Sequence, residues 1–129
     1  MKTNKYALAA ETAITIMQEN EYVAPPEAWE RATMRIFGNS SSQKKGCPKN
    51  AFLGLCEEGA IKGVKKGKYT KGSKNKNYAL KAVEYVKNNR NLTVDKKLIW
   101  SYSTNNLNIK HNSQMDIVLF LYQKNLLNI

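Results

Sequence analysis

Gly59-Ala-Ile-Lys-Gly63-Val-Lys-Lys-Gly67-Lys-Tyr-Thr-Lys-Gly72-Ser-Lys-Asn-Lys-Asn77 decides how the chain is read. The stretch holds four glycines, seven lysines and no acid. Each glycine disfavours a helix by about 1 kcal/mol relative to alanine, so this cannot be a stable helix. It reads as a flexible loop or a short hairpin, with Ile61 and Val64 as its inward anchors. On both sides of it the apolar residues return to helical spacing.

Upstream, Lys5–Glu19 places Tyr6, Ala10, Ala13, Ile14 and Met17 on one helical face. A second helix starts around Pro26, where a missing N–H costs nothing, and carries Ala28, Trp29, Ala32, Ile36 and Phe37 as far as Gly38. A polar connection leads to a third helix, which opens with Pro48 and closes at Gly59, with Phe52, Leu55 and Cys56 on one face. Downstream, Tyr78–Val86 repeats the helical pattern. Thr93 or Asp95 can cap a fifth helix carrying Leu98, Ile99 and Tyr102, with Trp100 partly buried. Ser113-Gln-Met-Asp116 has the form of a capping box before a last apolar helix, Gln114–Asn125. The expected fold is mainly all-α, with about six helices in a single domain, 1–129.

The two halves also resemble each other. Tyr6-Ala7-Leu8-x-Ala10 returns as Tyr78-Ala79-Leu80-x-Ala82, Trp29 as Trp100, Ser42-Gln43 as Ser113-Gln114, and Leu53-x-Leu55 as Leu119-x-Leu121. The order is the same in both copies. It suggests an internal duplication, 4–61 and 76–127, of two tandem three-helix units joined by 62–75.

Charge is distributed unevenly. Residues 1–39 carry a net −1, residues 40–83 a net +9 and residues 84–129 a net +3. A concentrated basic field of this kind attracts polyanions such as nucleic acid, or the acidic face of a protein partner. The candidate nucleic-acid contacts are Lys44, Lys45 and Lys49 around the third helix, with Lys62, Lys65, Lys66, Lys68, Lys71, Lys74 and Lys76 in the glycine-rich segment. Tyr69 and Tyr78 are interleaved with them, and these two are the aromatic residues placed in sequence to stack on a base. Glycine permits close backbone approach to an anion. Contacts of this type hold a phosphate backbone and carry little sequence readout. Glu27–Glu58 also has a helix–connection–helix pattern, but its connection exceeds the three or four residues of a helix-turn-helix, and Lys49, Asn50 and Glu57 are its few outward polar residues.

Other chemistry is poorly supported. Cys47 and Cys56 have neither zinc-ligand nor disulfide-framework spacing, and one His accompanies them. No metal or other cofactor is implied. Cys47 precedes Pro48 at a helix start beside Lys44 and Lys45, surroundings that favour a thiolate. An enzyme built on it would need His111 as its base, with Ser42 and Gln43 nearby. Cys56 fits a small buried hydrophobe. No long apolar run suggests a membrane span or a signal peptide, so the expected compartment is the cytoplasm.

Ser41-Ser-Gln-Lys-Lys-Gly-Cys-Pro-Lys-Asn-Ala-Phe-Leu-Gly-Leu-Cys-Glu-Glu-Gly59, with Tyr69-Thr70, Asn75-Lys76-x-Tyr78-Ala79 and His111-Asn-Ser-Gln-Met-Asp116, resembles the signature of a family of small uncharacterised bacterial proteins, a domain of unknown function. The resemblance covers nearly the whole chain. It implies a bacterial or phage-borne protein and supplies no catalytic residues; the acidic protein partner expected from the basic face is one met, for instance, in phage–host defence.

Overall fold

The computed structural model describes residues 3–90, 95–105 and 113–129. Among them six helices and no strand carry the fold: α1 (Lys5–Glu19), α2 (Pro25–Phe37), α3 (Gly46–Glu57), α4 (Lys74–Asn88), α5 (Lys96–Ser103) and α6 (Gln114–Gln123). The all-α expectation holds, and α1 has the expected limits.

Each helix end has a local cause. Asn4 caps α1 by accepting the N–H groups of Tyr6 and Ala7 on Oδ1. Asp95 does the same for α5, accepting from Lys97 and Leu98 at 2.8 and 3.2 Å. Thr93, the alternative cap, lies outside the described residues. Pro25 and Pro26 occupy the first two positions of α2, and Gly38 stops it with φ +65°. Two helices start earlier than the sequence suggests. In α3, Pro48 is the third residue, still within the turn that needs no N–H donor. In α4, the helix begins at Lys74, two residues after the last glycine, because Lys74–Asn77 contains no helix breaker.

The Ser113 capping box does not form as expected. Ser113 adopts a left-handed conformation (φ 70°), and its side chain does not cap α6. Its Oγ instead accepts a hydrogen bond from Asn4 Nδ2 at 3.2 Å, tying α6 to the start of α1. Asp116 forms an ion pair with Lys96 of α5. On α5 only Ile99 of the expected apolar face is buried. Leu98 and Tyr102 are exposed, the latter tilted against Tyr85.

α4 occupies the middle and packs on α3, α5 and α6, while α1 packs on α2 and α6. The interior is filled by Ile14, Trp29, Phe52, Leu55, Ile99, Met115, Ile117 and Leu121. Trp29 stacks on Phe52, with ring centroids 5.1 Å apart, and this pins α2 to α3.

The ends of α3 and α6 match bond for bond. In α3, Ala60 N–H donates to Leu55 O and Gly59 N–H to Cys56 O, with Gly59 at φ +71°. In α6, Leu126 N–H donates to Leu121 O and Asn125 N–H to Tyr122 O, with Asn125 at φ 58°. Both are Schellman caps. The chain then pairs with itself: Ile61 and Leu127 form an antiparallel bridge, in which Lys62 N–H donates to Leu126 O at 2.9 Å and Asn128 N–H to Ala60 O at 2.7 Å. The offset is the one that relates Leu53-x-Leu55 to Leu119-x-Leu121. Thr33 and Thr104 likewise each donate from Oγ1 to the carbonyl of a tryptophan four residues earlier, Trp29 and Trp100.

Candidate nucleic-acid interface

The glycine-lysine segment is neither a hairpin nor a detached loop. It is a strap laid along the outer face of α3, and Glu57 is the residue that fastens it. Glu57 Oε1 accepts the N–H of Tyr69 at 3.0 Å, and Oε2 accepts from Lys76 Nζ at 2.7 Å. The Glu57 carbonyl also accepts the N–H of Gly67. Lys76 reaches Glu58 as well, at 3.2 Å. The hydrogen bond from Lys76, reinforced by the Tyr69 N–H, holds the Glu57 carboxyl below the usual carboxylate range, and the same bond holds Lys76 above its ordinary value. Two turns earlier in α3, Asn50 Oδ1 accepts from Thr70 Oγ1 at 2.9 Å.

Close approaches explain two of the glycines. A Cβ on Gly54 would lie 2.5 Å from Lys76 Cβ, so the start of α4 sits directly on α3. A Cβ on Gly67 would lie 2.6 Å from the Tyr69 ring, because Tyr69 folds back over Gly67 and its hydroxyl donates to Lys65 O at 2.7 Å. Tyr69 is therefore an anchor of the strap, in addition to Ile61 and Val64. Tyr78 is committed elsewhere, edge-on to Trp100.

With the strap fastened from beneath, its other lysines point outward. Lys62, Lys65, Lys66, Lys68, Lys71 and Lys74 are exposed and form no ion pair among the described residues. Lys62 Nζ donates to Asn125 Oδ1, and the stem of Lys66 covers Gly59. Lys44, Lys45 and Lys49 are also exposed, around the N-terminus of α3. Thr70 and Gly72 lie against Asn50, the neighbour of Lys49, which brings the two lysine groups together. Lys76 is different: its charge is matched within the fold by Glu57 and Glu58.

The strap also covers part of the outer face of α3. Asn50 and Glu57, two of its three outward polar residues, are occupied by it, and Lys49 is the one of the three left exposed.

Sequence reasoning missed Tyr22. It sits in the turn between α1 and α2 and is 89% exposed. It lines a groove of about 450 Å³ with Met17, Glu21, Val64, Lys65 and Tyr69. The only signal in the sequence is an aromatic residue in a polar turn, and nothing in the order of residues places that turn beside Lys65.

Of the proposed catalytic set, Ser42, Gln43 and Cys47 lie in the described residues, just before and within the first turn of α3. Ser42 and Ser113 both meet the first turn of α1, since Tyr6 OH donates to Ser42 O and Asn4 to Ser113 Oγ. Gln43 turns the other way and donates from Nε2 to Thr33 Oγ1 at 3.1 Å. The groove it lines holds neither Ser42 nor Cys47. His111 lies outside the described residues. Cys56 is fully buried, and burial pushes its thiol far up. Among the described residues no cluster could hold a metal ion, and no helix is long and apolar enough to cross a membrane.

The model of a family of unknown function, DUF6979, matches residues 3–128. The chain belongs to that family. No curated protein and no solved structure matches it. For this DUF6979 member, the arrangement of its own side chains is what bears on function.

Proposed function

We propose that the protein is a nucleic-acid-binding module that holds a phosphate backbone along the strap, with a preference for single strands. The observation that carries this reading is the division of labour around Glu57. One carboxylate fastens the strap through Tyr69 and Lys76, and Lys62, Lys65, Lys66, Lys68, Lys71 and Lys74 are left facing solvent without acidic partners among the described residues. A lysine row on an ordered backbone neutralises successive phosphates and releases their counterions. Tyr22 favours single strands over duplex. An exposed ring beside Lys65 gives an unpaired base a surface to stack on while the lysine meets its phosphate.

The test is fluorescence anisotropy with labelled single-stranded DNA, RNA and duplex DNA, at low and near-physiological salt. Binding that persists at near-physiological salt and favours a single strand supports the reading. Binding that disappears uniformly with salt, or is unchanged when Lys65, Lys66, Lys68 and Lys71 are all replaced by Glu, overturns it. In that event an acidic protein surface becomes the partner to look for.

A further inference from the structure

A second groove, of about 570 Å³, opens between the start of α2 and the turn before α3. Its lining includes Glu27, Trp29, Glu30, Gln43, Lys44 and Lys49. Trp29 is 1% exposed, and its Nε1–H is buried with no acceptor among the described residues. An indole N–H is a donor only, and leaving one buried and unpaired costs about 1–3 kcal/mol. Natural interiors seldom keep such a group without a use for it.

The neighbouring side chains are also held with capacity to spare. Thr33 is fully buried and donates to Trp29 O, and Gln43 Nε2 donates to Thr33 Oγ1. This fixes the Gln43 amide by one N–H and leaves its second N–H and its Oε1 open, one donor and one acceptor side by side. Lys44 and Lys49 supply positive charge without an ion-pair partner among the described residues. Glu27 is paired with Arg31, whereas Glu30 has no ion pair among the described residues.

We propose that this groove binds a nucleoside monophosphate unit with an amino-bearing base, either free or as the end of a strand. The phosphate meets Lys44 and Lys49. The base edge meets the open donor and acceptor of Gln43, in the bidentate manner in which Gln reads adenine. Trp29 lines the groove, so its indole reports on occupancy, and the Glu30 carboxylate, without an ion pair among the described residues, accepts from an amino or ribose hydroxyl group. Its size falls within the range of small-molecule sites. The inference extends the nucleic-acid reading, because the groove adjoins the Lys44–Lys49 end of the basic surface.

The chain has two tryptophans, so the indole N–H region of a ¹⁵N-labelled sample holds two resonances, and Trp100→Phe assigns them. The probes are AMP, inorganic phosphate and a 5′-phosphorylated oligo(dA). The expected result is a saturable shift of the Trp29 indole resonance with AMP, weakened about tenfold or more by Lys49→Glu and by Gln43→Leu. Lys49 is exposed, so its replacement leaves the fold intact. A Trp29 resonance unmoved by AMP while the oligonucleotide binds overturns the groove proposal and leaves the strap reading standing. Oligonucleotide binding that fails while AMP still shifts Trp29 overturns the strap reading and not the groove. Inorganic phosphate reproducing the whole shift at equal affinity overturns the nucleotide assignment in favour of a simple anion site.

Discussion

Glu57 and Lys76 are 19 residues apart in the chain and 2.7 Å apart in space. Their contact closes the strap onto α3, and the pH dependence of stability follows from it. Glu57 has its pKa lowered by folding, so its contribution is present above the ordinary value of 4.5 and is lost as pH falls through the lower folded value. Lys76 has its pKa raised, so its contribution is present below 10.5 and is lost as pH rises through the higher folded value. Glu57→Gln keeps an acceptor for Tyr69 and removes the charge. The variant is expected to melt below the parent across the neutral range and to converge with it in acid. Thermal denaturation from acid to neutral pH checks this. A constant difference at every pH would mean that the pair is not what titrates. Limited trypsin digestion should also cut the variant faster within 62–74, since the strap has lost its fastening.

Gly54→Ala separates two opposing effects. Alanine is the better helix former by about 1 kcal/mol. Against that, its Cβ would meet Lys76 Cβ and Cγ at 2.5 Å and the Lys76 Cα at 2.8 Å. The last of these is backbone and cannot swing away, so overpacking wins and α3 and α4 are forced apart. The expected outcome is a net loss of about 1–3 kcal/mol, read from urea denaturation. A stabilised variant would show that α4 does not lie on α3 in this way.

The two cysteines should differ in reactivity because they differ in burial. Cys56 is fully buried and its thiol is pushed up by that burial, whereas Cys47 is half-buried at the first turn of α3. Iodoacetamide at neutral pH is expected to modify Cys47 in the folded protein and Cys56 only after unfolding, with mass spectrometry as the readout. Rapid labelling of both would place α3 outside the core. Faster alkylation of Cys47 is therefore not a mark of a nucleophile in this protein, because accessibility alone produces it.

Much of the helical framework is visible in the sequence because its determinants are local. Pro25-Pro26, Gly38, Asp95 and Gly59 are caps and stops whose effect is exerted on their own neighbours. The strap is legible only in composition. Four glycines exclude a helix, but they give no reason why the segment is fastened, since that depends on Glu57 meeting Tyr69 and Lys76 across α3. Ser113 shows the same limit from the other side. Its spacing to Asp116 fits a capping box, yet a distant partner, Asn4, takes its hydroxyl. The lysines of the candidate surface follow from charge counting. Tyr22 and the unpaired Trp29 N–H do not, because both depend on which turns and helices lie side by side.

The strap lysines and Tyr22 should affect binding in different ways. Lysine contacts to phosphate contribute through counterion release, and each lost contact lowers the salt slope by about 0.7 for a single strand. Replacing Lys65, Lys66, Lys68 and Lys71 together is expected to weaken binding to every oligonucleotide and to reduce the slope by about 3. Tyr22→Ala removes no charge, so the slope should be unchanged. Its effect should be confined to single strands, with a loss of about 1–3 kcal/mol for the one stacked base. Because Tyr22 is 89% exposed, the fold should lose no more than about 0.5 kcal/mol. Anisotropy titrations over a range of salt, on single-stranded and duplex probes of equal length, measure both quantities together. An equal loss on duplex and single strand would deny Tyr22 a stacking role. A changed slope in the tyrosine variant would mean that the substitution had moved Lys65, its neighbour across the groove.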